Sequence, residues 1–145
     1  MKEYTTLRNI NRGYMKLEVW QKAMDLYQMV HNIVNEAKMD FKIRSQIDDA
    51  ALSVPSNIAE GYSRRSIREY IQFLYIALAS LSETLTRAIG MTSTSQIGNT
   101  QFQEIDKLHY EVENRLLRLI EVLEKKRDAG NWIDHIAEDL TEYNP

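Results

Sequence analysis

From Val19 onward the apolar positions recur in steps of four and three, at Val19, Ala23, Leu26, Val30, Ile33 and Ala37. That spacing lines up one face of an α-helix and predicts a first helix over Leu17 to Ala37. Ile43, Ile47, Ala50, Val54 and Ile58 keep the same period, which predicts a second helix from Phe41 to Glu60 with Asp40 as its N-cap. The third pattern is the most regular: Ile67, Ile71, Leu74, Leu78, Leu81, Leu85 and Ala88, opened by Ser66 with Glu69 three residues on, the arrangement of a capping box. Ile105, Leu108, Val112, Leu116, Leu119 and Leu123 predict a fourth helix, opened by Thr100 and Gln103 in the same arrangement and stopping before Gly130. Between the last two lies TSTSQIGN, Thr92 to Asn99, a polar loop.

Four amphipathic helices on short loops must bury their stripes on one another, and short connections make sequential neighbours antiparallel. The expected fold class is all-α, an antiparallel up-down-up-down four-helix bundle. It forms a single domain over 1–145, with an N-terminal arm, 1–16, and an acidic C-terminal tail, 131–145. In the tail Ile133, Ile136 and Leu140 sit at helical spacing, so an extra short helix, or an arm docking on a neighbour, is expected there.

Proline 55 interrupts the second pattern without shifting its phase, which predicts one helix kinked at Pro55 rather than two helices. The Ala51 carbonyl then lacks its usual donor. The hydroxyls of Ser53 or Ser56, or water, would offset part of a cost of about 3 kcal/mol. Gly61 is expected to supply the left-handed residue that ends the helix, with Tyr62 to Arg65 as the turn into the Ser66 cap. Small residues crowd this region and the next: Ala50, Ala51, Ser53, Ser56, Ala59, Ala77, Ala79 and Ser80 would let the second and third helices approach closely, within the bundle or across a subunit boundary.

Composition removes several function classes. The chain has no cysteine, so disulfides, thiolate metal sites and cysteine nucleophiles are out, and a reducing cytoplasm is the expected setting. No run of about 18 apolar residues occurs, and the N-terminal stretch lacks the apolar run of a signal peptide. Net charge is −3, and residues 131–145 hold four acidic and no basic side chains, so the acidity is concentrated at the C-terminal end. A phosphate-binding surface would therefore have to be a local patch.

Arg64, Arg65 and Arg68 form the one tight arginine cluster, a candidate nucleic-acid or partner contact because guanidinium forks match phosphate geometry. The plainer alternative is a solvated turn whose arginines pair with Glu60 and Glu69. Lys125, Lys126 and Arg127 suit the dipole at a helix C-terminus. Asp106 and His109 have the i, i+3 spacing of di-iron bundles, but the inward stripes of the first three helices supply no carboxylates, and His31 and His135 have no ligand-spaced partner. There is no phosphate-cradling glycine loop and no G-x-S-x-G element. No catalytic residue, metal or cofactor is expected. Trp20, Tyr27, Tyr70, Phe73 and Tyr75 read as core or subunit contacts more than as base-stacking platforms. Trp20, Met24, Tyr62, Tyr75 and Trp132 together are more apolar and aromatic surface than one bundle needs, which points to a closed homo-oligomer.

Three stretches carry a family resemblance: LEVWQKAMDLY (Leu17 to Tyr27), QIDDAALSVPSNIAEGYSRRSIREYIQFLYIALASLSE (Gln46 to Glu83) and, more loosely, the fourth helix, with VPSNIAEG the most specific element. They resemble the four-helix bundle proteins named after intervening sequences of large-subunit ribosomal RNA genes. The resemblance implies an antiparallel bundle assembled as a ring-shaped homopentamer. A related branch, the accessory variability determinants of diversity-generating retroelements, binds a reverse transcriptase and nucleic acid. This chain departs from the family pattern where Asp48 and Asp49 stand in place of two arginines.

Two functions follow as expectations. The first is a non-enzymatic homo-oligomeric scaffold or adapter for a protein or ribonucleoprotein partner, with weak nucleic-acid binding at most and no membrane contact. The alternative is a retroelement accessory factor that binds reverse transcriptase and template RNA.

Overall fold

The computed structural model describes residues 12–130, and the expected tail helix and Trp132 lie outside them. A short 3₁₀ turn over Gly13–Lys16 leads into four helices: α1 (Glu18–Glu36), α2 (Phe41–Tyr62), α3 (Ile67–Ser93) and α4 (Asn99–Asp128). The protein is an all-α four-helix bundle. Contacts between helices run in opposite senses. Across α1 and α2, His31 meets Asp48 and Asn35 meets Arg44. Across α2 and α3, Gln46 meets Arg87 and Ser53 meets Ser80. Tyr75 reaches Glu124 and Leu81 reaches His109 across α3 and α4, while Glu18 and Lys22 pair with Arg115 and Glu111 across α1 and α4.

The periodic stripes form the core. Leu26, Val30, Ile47, Val54, Ile58, Leu74, Leu81, Ile105, Val112 and Leu116 are fully buried. On α3 the buried side is wider than the seven-residue stripe and takes in Tyr70, Ala77, Thr84 and Met91, while Leu78 and Leu85 are half-buried. This helix packs on both α2 and α4, so it buries two faces rather than one. Thr84 is tolerated there because its hydroxyl donates to the Ser80 carbonyl at 2.8 Å. On α4, His109 and Ile120 are buried and Leu108 and Leu119 only partly so. The His109 Nε2 lies 3.0 Å from the Leu81 carbonyl, which satisfies the ring inside the core.

Caps set two helix starts as expected. The Asp40 carboxylate accepts from the Lys42 amide at 3.1 Å, and the Ser66 hydroxyl accepts from the Glu69 amide at 3.2 Å. Helix α4 starts one residue before the expected cap. Its N-cap is Gly98, whose amide donates to Gln101 Oε1 at 2.8 Å, so Thr100 and Gln103 are already inside the helix. Helix α2 passes through a buried Pro55 as one element. The side chains around it bond neighbouring carbonyls and not Ala51: Ser56 Oγ donates to Leu52 at 2.8 Å, and Asn57 Nδ2 to Ser53 at 2.7 Å.

The role expected of Gly61 is overturned. It is helical and buried, and its φ is not in the left-handed region, which Lys38, Ser95 and Gly130 occupy instead. What Gly61 provides is proximity. A Cβ at this position would lie 2.8 Å from Phe73 Cβ and 3.1 Å from the Tyr70 carbonyl oxygen, so the two helices touch through its missing side chain. Gly61→Ala should therefore destabilise the protein by about 1–3 kcal/mol in urea unfolding, overpacking outweighing the better helix propensity of alanine. Gly90→Ala, where nothing lies within 4 Å, should instead stabilise it by roughly 0.5–1 kcal/mol.

Candidate functional site

The tight turn from Tyr62 to Ser66 brings Arg64, Arg65 and Arg68 to one corner of the bundle, but they do not act as one patch. Arg64 is occupied. Its guanidinium stacks over the Phe73 ring, 4.6 Å from the centroid, and reaches Glu60 at 3.4 Å and Glu69 at 3.9 Å. A cation held over an aromatic face beside two carboxylates is less free to turn toward a phosphate than its exposed neighbours. Arg65 and Arg68 are exposed, and neither forms an ion pair among the described residues. The corner thus offers two guanidiniums, not three.

Behind this corner lies an aromatic cluster. Tyr14 packs edge-on against Trp20 and Tyr62, at centroid distances of 5.6 and 6.2 Å, and Tyr62 packs on Tyr70 at 6.0 Å. Trp20 and Tyr62 are thus partly buried and packed against the core, and Met24 is half-buried, so part of the surface expected outside the bundle is used within it. Tyr70 is buried, while Tyr27 packs against the core and lies beside His31. Tyr75 is exposed, and its hydroxyl donates to Glu124 Oε2 at 2.9 Å. That bond raises the phenol above its ordinary pKa, because the ionised form would lose the donor and face the carboxylate.

The acidic pair Asp48 and Asp49 is not a uniform negative face. Asp49 is exposed, whereas Asp48 Oδ2 lies 3.0 Å from His31 Nδ1. Arg44 donates to Asn35 Oδ1 at 2.9 Å, which orients that amide so that its Nδ2 faces His31 Nε2 at 3.1 Å. With Nε2 accepting, Nδ1 carries the proton and donates to Asp48. An arginine at position 48 could not accept that bond, so the carboxylate here ties α2 to α1. Sequence reasoning missed this chain because its members are far apart in the sequence and none lies on an apolar stripe.

Sequence reasoning also missed the outward face of α3. From residue 72 to residue 93 its exposed positions are Gln72, Tyr75, Ile76, Ala79, Ser82, Glu83, Thr86, Ile89, Gly90 and Ser93. Only Glu83 is charged, in a chain that is 27% charged. Ile76 and Ile89 are about half exposed, and on neighbouring α4 so is Leu117, with Tyr110 at 64%. A solvated helix face ordinarily carries more charge than this one does.

The corner and the helices around it also decide the family. The sequence profile of the 23S rRNA-intervening sequence proteins matches residues 15–118, from the 3₁₀ turn through most of α4. The chain belongs to this family. A solved structure shares the fold: a protein of unknown function from the S23 ribosomal protein family of Bacteroides thetaiotaomicron VPI-5482, 26% identical, with a TM-score of 0.65 over 70% of this chain and 97% of that one. No curated protein matches the chain. Among the described residues of this 23S rRNA-intervening sequence protein, no three histidine or carboxylate side chains come together as a metal site, and no helix is long and apolar enough to cross a membrane. The division within the arginine corner is testable by denaturation. Arg64→Ala should cost up to about 1 kcal/mol through the lost ring contact and ion pairs, while Arg65→Ala and Arg68→Ala should stay within roughly 0.5 kcal/mol of the parent.

Proposed function

We propose that this protein is a non-enzymatic homo-oligomeric scaffold or adapter, assembled as a closed ring of five, that binds a protein or ribonucleoprotein partner in the cytoplasm. The observation that carries the reading is the outward face of α3, ten exposed positions with one charge among them. Its small residues let another helix approach closely, and Ile76 and Ile89 supply apolar area to bury. The absence of cysteine fits a reducing compartment.

Exposed Arg65 and Arg68 favour a second reading, the retroelement accessory factor that binds template RNA, since a ring would repeat the pair around its rim. Against it, a ring of five would carry a net charge of about −15 and repel phosphates except at short range.

Light scattering on the wild type at micromolar concentration should report a closed oligomer, and Ile76→Glu with Ile89→Glu should convert it to monomer with an unchanged far-ultraviolet spectrum. A wild-type monomer would end the scaffold reading. RNA binding should remain in the non-specific range, with Kd on the order of 10⁻⁴ to 10⁻⁶ M at physiological salt. Nanomolar binding that is lost when Arg64, Arg65 and Arg68 are all replaced by alanine would promote the retroelement reading.

A further inference from the structure

The start of α1 and the second half of α4 leave an open groove of about 570 Å³ between them. Leu17, Val19, Leu119 and Val122 make its apolar floor and wall, with Arg115 and Arg118 along one side. Val122 is 45% exposed although it faces the groove. Arg115 is paired with Glu18 at 2.7 Å, while Arg118 is exposed and forms no ion pair among the described residues. We propose that the chain's own C-terminal tail, Asn131 to Pro145, folds back and docks in this groove.

Three observations converge on that occupant. The first is the exit geometry. Helix α4 ends at Asp128, and Gly130 has a φ of +69°, the left-handed setting that turns a chain off a helix axis. The second is length. The tail has 15 residues, which as a helix reach about 22 Å. Gly130 back to Arg115 is also 15 residues of the chain, so a reversed tail spans the groove end to end. The third is chemistry. Trp132, Ile133, Ile136 and Leu140 supply an apolar stripe, and Asp134, Glu138, Asp139 and Glu142 supply four carboxylates with no cation among them. The apolar stripe matches the floor and the carboxylates match Arg118, with Lys125 and Arg127, paired with Glu121 and Asp128, beyond the groove's end. Tethering makes the contact intramolecular, so modest complementarity suffices.

Amide hydrogen exchange on the full chain tests this. Amides of residues 132–140 should exchange at least about tenfold more slowly than an unstructured peptide. The protection should fall in Arg118→Glu and vanish in Val122→Asp, while amides in α2 and α3 keep theirs and show that the variants fold. Exchange of the wild-type tail at the unstructured rate would overturn the proposal. So would protection indifferent to both substitutions, which would place the tail elsewhere. Protection that disappears on dilution, as light scattering shows copies separating, would mean a tail exchanged between copies and would overturn docking within the chain.

Discussion

Helices α2 and α3 share the most extensive contact of any helix pair in the bundle, and it includes points of very close approach. Gly61 sets the limit at one end, where even a methyl group would strike Phe73 and the Tyr70 carbonyl. Further along, Ser53 and Ser80 hydroxyls meet at 2.9 Å, a distance only short side chains on both helices permit. Buried Ala50, Ala51 and Ala77 continue the pattern. Close packing of this kind gains dispersion contacts over a long seam and leaves no room for adjustment. It also explains why a proline is tolerated in α2: the helix is held by α3 along its length and does not depend on every internal hydrogen bond.

The seam determines what remains outside. With α3 committed to α2 on one side and α4 on another, its third face is left exposed, and that face mixes apolar with small polar residues and is nearly uncharged. The tight turn joining α2 to α3 places Arg64 over Phe73, so one arginine of the corner becomes part of the packing while Arg65 and Arg68 project outward. At the other end of α2 the His31, Asp48, Asn35 and Arg44 contacts fasten α1 to the pair. Charge that would otherwise read as a repulsive acidic face is partly used to hold helices together.

The helices, their order and most of their boundaries were legible in the sequence, because amphipathic spacing and side-chain caps are local signals. Asp40 and Ser66 cap as their residue types imply. Gly98 took the place of Thr100 because the amide side chain of Gln101 can reach back to any backbone N–H, glycine included. The left-handed positions fell on Lys38 and Ser95 rather than on Gly61, since a turn that must close between two packed helices imposes its φ on whatever residue stands there. The split of the arginine cluster and the burial of Thr84 and His109 depend on which neighbour a helix meets, and that is set by the tertiary arrangement. Family resemblance singled out the VPSNIAEG element, while the physical use of its final glycine became visible only with α3 in place.

The α2–α3 seam should be the last part of the bundle to open. Native-state hydrogen exchange, read amide by amide, tests it most directly. The slowest amides should lie between Ala51 and Gly61 in α2 and between Tyr70 and Leu81 in α3, exchanging only through global unfolding, with α1 and α4 released earlier in smaller openings. If the slowest amides lie instead in α1 and α4, while those of the seam exchange through a lower-energy opening, the close approach at Gly61 and Ser53 is not what the fold depends on.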